Sequence, residues 1–538
     1  MSHQVSITAL PIPSLPIRRG HGCCQQLMAS PCSTDSASSF SAGSPISITK
    51  EFSLVEQLNQ QLLSTGREWP DYELLVSEYA AACRQIDAVF LQQQTSTKAE
   101  GWFLVRKTPH CVESIPEVRV AVVGNVDAGK STMLGVLTSG ALDDGRGKAR
   151  VGLFRHKHEI ESGRTSSIGQ ECLAFDSAGQ VINSPASSRR HGSDEIIPEA
   201  HKVITFMDLA GHERYLKTTM FGLTGGAPDY AMLMVGANAG LIGMAKEHLA
   251  MTFALSTPVM VVVTKIDMSP PNILEGTIRQ LQKVLKSPSA RRTPMMIKSP
   301  EDVIVASKNF VTQRLCPIFQ VSNVSGEGID HLKNFLHLLP QGVKYGATEA
   351  PAEFQITDTY VVPGVGTVVA GTMISGTVSL GQTLYLGPDS LGNFTSCQIK
   401  GVQRKRVTVP KVYAGQCASL ALKKIKRSMI RKGMVVVGKE LAIQPPPESH
   451  SCREFEAEVV ILFHSTTIGP RYQAMLHCGV VRQTVSLVSM QNEVLRTGDR
   501  ALVRFRFMRF PEYLKVGARL LFREGRTKGV GKITALYE

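Results

Sequence analysis

The chain has 538 residues, more than one hydrophobic core can organise and enough for about three or four domains. Hydrophobic residues make up 43% and charged residues 19%, the balance of a folded globular chain. The longest apolar runs, 230–239 and 258–263, fall well short of the roughly 20 residues that span a bilayer, so no membrane partner is expected. The formal net charge is +14, and its placement matters: residues 341–538 hold 27 Lys+Arg against 14 Asp+Glu, leaving the first 340 nearly neutral. A basic C-terminal part on a neutral N-terminal part points to a polyanionic partner for the former.

Residues 1–50 are rich in Ser, Pro and Ala and predict a disordered tail. The next stretch, 51–115, reads as a small α/β extension with a helix over 71–81 and strands over 88–91 and 102–105. From 116 to 342 apolar strands at 118–123, 203–207, 230–235, 258–263 and 318–321 alternate with helical segments, the pattern of a doubly wound, mostly parallel sheet. From 351 to 445 short alternating runs broken by Gly and Asn predict a β-barrel. After a Pro-rich linker at 445–449, a second barrel is expected over 452–538. The fold class is therefore α/β, a phosphate-loop domain followed by two β-barrel domains. Eleven scattered cysteines without a C-x-x-C pair, and an N-terminus without a secretory pattern, fit a reduced, cytoplasmic protein.

Gly124, Asn125, Val126, Asp127, Ala128, Gly129, Lys130 and Ser131 form G-x-x-x-x-G-K-S between the first strand of this domain and a helix that continues with Thr132. Such a turn aims several backbone N–H groups and a helix N-terminus at one point, where phosphates bind. Lys130 would reach the β- and γ-phosphates and the Ser131 hydroxyl would coordinate Mg²⁺. Asp208, Leu209, Ala210 and Gly211 follow the strand at 203–207 as D-x-x-G, with Asp208 holding Mg²⁺ through a water and the Gly211 N–H meeting the γ-phosphate. His212 comes next and is placed to orient the attacking water. Thr264, Lys265, Ile266 and Asp267 follow the strand at 258–263. The Asp267 carboxylate can accept from N1–H and the exocyclic amino group of guanine, a donor pair adenine lacks, so it selects GTP. Lys265 would pack over the base, and Ser322, Asn323 and Val324 would offer backbone N–H groups to guanine O6. Between the phosphate loop and Asp208, one of Thr165, Ser166 or Ser167 would add a hydroxyl to Mg²⁺ only in the triphosphate state, making a switch. Arg155 and Arg164 lie nearest that segment and are the candidates for an arginine reaching the phosphates.

These motifs resemble the elongation-factor class of translational GTPases. Within it, the segments 154–167, 264–267 and 399–406 are most similar to the GTP-binding protein 1/2 subfamily, and the resemblance runs from about 70 to 538. It implies a three-domain GTPase acting with RNA and the ribosome. By motif match it makes Thr165 the switch threonine and a Mg²⁺ ligand, His212 the catalytic histidine, Val126 part of an apolar gate before it, and Asp127 the position linked to a monovalent cation. Two positions depart from the class: Thr264 stands for Asn and Ala210 for Pro.

The resemblance also implies aminoacyl-tRNA, held by the second and third domains, as the RNA. Basic clusters at 403–406 and 423–427, and Arg504 and Arg506 alternating with Phe505 and Phe507, suit such a partner. The rival reading is a GTP-dependent adaptor for a protein partner in ribosome rescue or RNA turnover, using the Ser-rich stretch 183–199 and the N-terminal extension.

Overall fold

A computed structural model describes residues 8–11, 88–93, 102–154, 156–182, 196–311, 314–342, 346–442, 450–525 and 527–537. The helix expected over 71–81, Arg155, the linker at 445–449 and most of the Ser-rich stretch lie outside these. The chain divides into two compact units, Met1–Thr108 and Pro109–Glu538.

In the first unit, strands Ala88–Gln93 and Trp102–Lys107 pair antiparallel. Thr8–Pro11 pairs with Trp102–Lys107 on its other edge, so the tail expected to lack structure contributes a strand. The division also precedes the boundary expected at 115. The reason is local: Val112 and Ile115 give their carbonyls to Arg404, and Glu113 gives its carbonyl to Gln416, which fastens 112–115 to the second unit.

The second unit starts with an eight-stranded sheet in the order Thr293–Met296, Leu315–Gln320, Val259–Thr264, Tyr230–Gly236, Glu117–Gly124, Lys202–Asp208, Gly169–Phe175, Val181–Ile182. The first six run parallel. Glu117–Gly124, Lys202–Asp208, Tyr230–Gly236 and Val259–Thr264 are buried along their whole length, because helices cover both faces of a parallel sheet. Gly169–Phe175 and Val181–Ile182 add an antiparallel edge, and Thr293–Met296 closes the other side; none of these was expected from the sequence.

Two barrels follow. In the first, Glu353–Val362, Gly366–Ser375, Cys417–Lys423, Thr395–Arg404, Thr383–Gly387 and Val435–Val437 close through the pairing of Thr383–Gly387 with Thr395–Arg404. In the second, Glu454–Phe463, Arg500–Phe507, Val481–Met490, Gln473–Cys478, Arg519–Glu524 and Thr527–Tyr537 form a closed barrel. Burial alternates along these strands, as a sheet with one face inside requires. Phe455, Phe505, Phe507 and Phe522 fill the second barrel.

Ion pairs and small apolar clusters join the three parts. Glu117, buried at the start of the phosphate-loop strand, pairs with Arg404 at 3.3 Å and Lys405 at 3.0 Å from the first barrel. Glu247 binds Arg523 at 3.0 Å and Lys528 at 2.7 Å from the second. Leu216 and Met220, on the helix Leu216–Gly225, pack against Leu521. Arg431 and Glu512 join the barrels at 2.6 Å.

Candidate nucleotide and metal site

The site forms where the parallel strands end. Register sets Val122 beside Asp208, Gly124 beside Met234 and Gly236 beside Thr264, so the loops leaving these strands converge at one edge of the sheet. The phosphate loop turns through Asp127 at φ 60° and Gly129 at φ 79° into the helix Lys130–Ser139. Lys130 is buried, and its Nζ donates to the Asn125 carbonyl at 2.7 Å. Burial lowers its pKa, against the pull of Asp208 and Asp127.

Three oxygens meet beside it. Ser131 Oγ donates to Asp208 Oδ2 at 2.6 Å, Thr165 Oγ1 lies 2.8 Å from Ser131 Oγ, and Thr165 Oγ1 donates to the same carboxylate oxygen at 3.2 Å. Asp208 Oδ1 is buried with no hydrogen-bond partner among the described residues, and burial raises the Asp208 pKa. Two hydroxyls and one carboxylate with an unsatisfied oxygen form a hard, oxygen-only donor set. That set suits Mg²⁺, which binds few protein carboxylates and completes its shell with phosphate and water. Ser131 and Thr165 would hold the ion directly and Asp208 through water.

Gly211 presses on the phosphate loop: a Cβ there would lie 2.5 Å from Lys130 Nζ and 2.8 Å from Gly124 O, so only glycine brings the D-x-x-G turn this near. His212 shares a pocket with Val126, Asp127, Gly129, Lys130, Ser131, Thr132, Thr165 and Gly211. Its ring is exposed, and Nδ1 accepts from the Arg214 N–H at 3.1 Å, capping the short helix Glu213–Tyr215. That cap uses Nδ1 alone and leaves Nε2 as the ring nitrogen for a water.

On the base side, Thr264 is fully buried and its hydroxyl donates to the Ala128 carbonyl at 3.0 Å. The tie to the phosphate loop is thus made by a threonine. Asn323 also reaches the loop, with Nδ2 3.6 Å from where a Gly129 Cβ would sit. Ser322 Oγ accepts from the Val324 and Ser325 N–H groups at 3.2 and 3.1 Å, shaping that turn. Lys265 adopts φ 62°, its carbonyl accepts from Ser269, and Asp267 is exposed.

Three residues escaped the sequence reading. Glu159, buried, accepts from the N–H and hydroxyl of both Ser166 and Ser167 at 2.7–3.2 Å, so those two serines hold the switch segment while Thr165 faces Ser131 and Asp208. The run E-I-E-S-G-R-T-S-S held the signal, a carboxylate six to eight residues before three consecutive hydroxyls. His248 Nδ1 accepts from the Gly124 N–H at 3.2 Å, and burial lowers its pKa to about 4. Arg150 lines the phosphate pocket together with Arg164.

The basic cluster at 403–406 requires correction. Arg404 is 1% exposed, and it and Lys405 bind Glu117, so neither faces solvent. Arg504 and Arg506 do lie opposite Phe505 and Phe507, yet both pair with Glu454, at 2.7 and 2.5 Å. Lys424, Lys426 and Arg427 remain exposed.

Residues 116–342 match the family described as the elongation factor Tu GTP binding domain, and 366–437 match elongation factor Tu domain 2. Over 481 residues the chain is 55% identical to GTP-binding protein 1 of Xenopus laevis, covering 88% of this chain and 72% of that protein. The chain belongs to the GTP-binding protein 1/2 family. It is also 48% identical over 437 residues to GTP-binding protein 2 of Homo sapiens, covering 80% of this chain and 71% of that one. Its fold is similar to the crystal structure of a bacterial selenocysteine-specific elongation factor, EF-Sec (TM-score 0.55, 18% identity, 78% of this chain and 58% of that one). It is similar too to the elongation factor SelB of Methanococcus maripaludis in complex with the GTP analogue GPPNHP (TM-score 0.53, 18% identity, 79% and 80%). As a member of this family with an elongation-factor-type GTP binding domain, the protein is a GTPase of the translational class. Mg²⁺ dependence is usual for that domain. Among the described residues no helix is long and apolar enough to cross a membrane.

Proposed function

We propose that the protein binds RNA in its GTP form, with aminoacyl-tRNA the first candidate, and hydrolyses GTP at the ribosome in the cytoplasm. One observation carries the reading: the Thr165 hydroxyl stands within 2.8 Å of Ser131 and 3.2 Å of Asp208, so the segment 163–167 is tied to the atoms that hold the metal and triphosphate. Loss of the γ-phosphate loosens that tie. The D-x-x-G turn leads straight into the helix Leu216–Gly225, whose Leu216 and Met220 rest on the second barrel. A change at the phosphate therefore has a short packed route to the basic part of the molecule. In this reading Lys130, Ser131, Thr165, Asp208 and Gly211 hold Mg²⁺ and phosphates, His212 positions water, Asp267 selects guanine, and a monovalent cation sits beside Asp127.

The test is binding of aminoacyl-tRNA and of deacylated tRNA, each with a non-hydrolysable GTP analogue and with GDP. Tight binding of charged tRNA with the analogue alone is the expected result. Equal or absent binding in all four combinations rejects tRNA delivery.

A second reading, a GTP-dependent adaptor for a protein of ribosome rescue or RNA decay, gains from the internal pairing of so many of the basic residues. Arg404, Lys405, Arg431, Arg504, Arg506, Arg523 and Lys528 all engage carboxylates of the same chain. Partner capture that survives RNase and requires GTP would favour it.

A further inference from the structure

We propose that Arg150 is a catalytic residue of GTP hydrolysis, a guanidinium carried by the chain itself that binds the γ-phosphate oxygens as charge builds on them. The inference rests on the nucleotide site described above.

Arg150 is half-buried and lines the phosphate pocket with Lys130, Ser131, Thr165, Gly211 and His212. Among the described residues its guanidinium has no hydrogen-bond or ion-pair partner, in a chain where most inward-facing cations are paired. Its backbone is firmly placed. The buried Asp143 carboxylate accepts from the N–H groups of Gly145, Gly147 and Ala149 at 3.1, 3.0 and 2.9 Å, folding the segment into a fixed turn. The Ala149 carbonyl then seats on Gly135 of the phosphate-loop helix, so closely that a Cβ there would lie 2.1 Å from its oxygen.

The side chain is aimed by two further glycines. A Cβ on Gly147 would lie 2.6 Å from Arg150 Nε, and one on Gly163 would lie 3.1 Å from Nη2. The guanidinium thus lies close against the backbone at Gly147 and Gly163, the second of these being the residue two before Thr165. Arg164 also lines the pocket but is exposed. The geometry favours Arg150 as the arginine that meets the substrate.

In the reaction, water oxygen bonds to the γ-phosphorus as the bond from that phosphorus to the β–γ bridging oxygen breaks; the electron pair leaves on GDP, and the water's proton passes to a γ-phosphate oxygen to give inorganic phosphate. Charge spreads over the γ-oxygens and the bridge at the transition state. A planar guanidinium meets two such oxygens at once, stays protonated throughout and exchanges no proton. A GTPase with its own arginine runs at about 10⁻² s⁻¹, and one without at about 3–5 × 10⁻⁴ s⁻¹.

The test uses the full chain with Mg²⁺: single-turnover hydrolysis, together with affinity for a non-hydrolysable GTP analogue and for GDP with aluminium fluoride, which mimics the transition state. Arg150→Ala should slow hydrolysis by about 20- to 30-fold and weaken the aluminium fluoride complex in parallel, while analogue affinity stays within about threefold. Retained analogue binding also shows that the variant folds. Arg150→Lys should not restore the rate, and Arg146→Ala, in the same loop but exposed, should match the wild type. An unchanged hydrolysis rate in Arg150→Ala overturns the proposal. Equal loss of analogue and aluminium fluoride affinity overturns it as well, since it would make Arg150 a ground-state contact.

Discussion

Asp267 stands exposed on the turn after Val259–Thr264, with its carboxylate available to a base lying across Lys265. Each hydrogen bond to a charged group contributes about 1.5–3 kcal/mol. Asp267→Asn should therefore weaken GTP roughly 10- to 100-fold and improve binding of xanthosine triphosphate, whose C2 carbonyl accepts from the new amide. Competition between the two nucleotides measures this; unchanged GTP preference would reject the assignment. The motif residues were legible because each stands on a short turn directly after its own strand. Thr264 was visible only as a departure. That its hydroxyl reaches the Ala128 carbonyl depends on the packing of two loops from different strands. Glu159 and Arg150 were missed for the same reason. Their surroundings are set by how the segment between phosphate loop and Asp208 folds back, and no periodic pattern records that path.

At the scale of elements, the fully buried strands could be read as short continuous apolar runs bounded by turns, and the barrel strands from their period-2 alternation. The antiparallel strand Gly169–Phe175 could not, since it pairs along an edge with mixed exposure. The turn at 403–406 shows the converse error. Three cations in four residues look like a solvent-facing patch, yet Lys405 and Arg406 adopt φ 50° and 71° and the turn carries Arg404 and Lys405 onto Glu117. Burial by itself would raise the Glu117 pKa. Lys405 and Arg404, with Thr205 and Arg119, outweigh it and hold the carboxyl at about 2, below its ordinary 4.5. A depressed carboxylate stabilises the fold fully above its unfolded value, and the stabilisation is lost as pH falls through the folded one. Glu117→Gln should cost about 3–5 kcal/mol at neutral pH by leaving buried cations unpaired. Denaturant unfolding of wild type and variant should converge between pH 4.5 and 2. A constant difference across that window would show that Glu117 contributes through packing and not through charge.

For the whole molecule, net charge gave a class of partner but not its footprint. Of the clusters in the basic part, Lys424, Lys426 and Arg427 stay exposed, while those at 404 and 405 are spent on joining the nucleotide domain to the first barrel. If RNA lies across the exposed cluster, replacing Lys424 and Lys426 by Ala should reduce the slope of log affinity against log salt by about 1.4–1.8. Titration of RNA binding from low to moderate salt measures it, and an unchanged slope would move the RNA path elsewhere on the barrels.

The sequence by itself determined the fold class, the phosphate loop, the place of the Asp267 carboxylate on its turn and the hydroxyls available beside Asp208. All of these are local: a strand, a turn of few residues and the side chains on it. Only the tertiary structure decided which charges are surface and which are internal, which hydroxyl among three faces Asp208, and which arginine enters the phosphate pocket. Those outcomes depend on groups far apart in the chain being brought within 3 Å, as Glu117 is to Lys405, and that distance is set by packing.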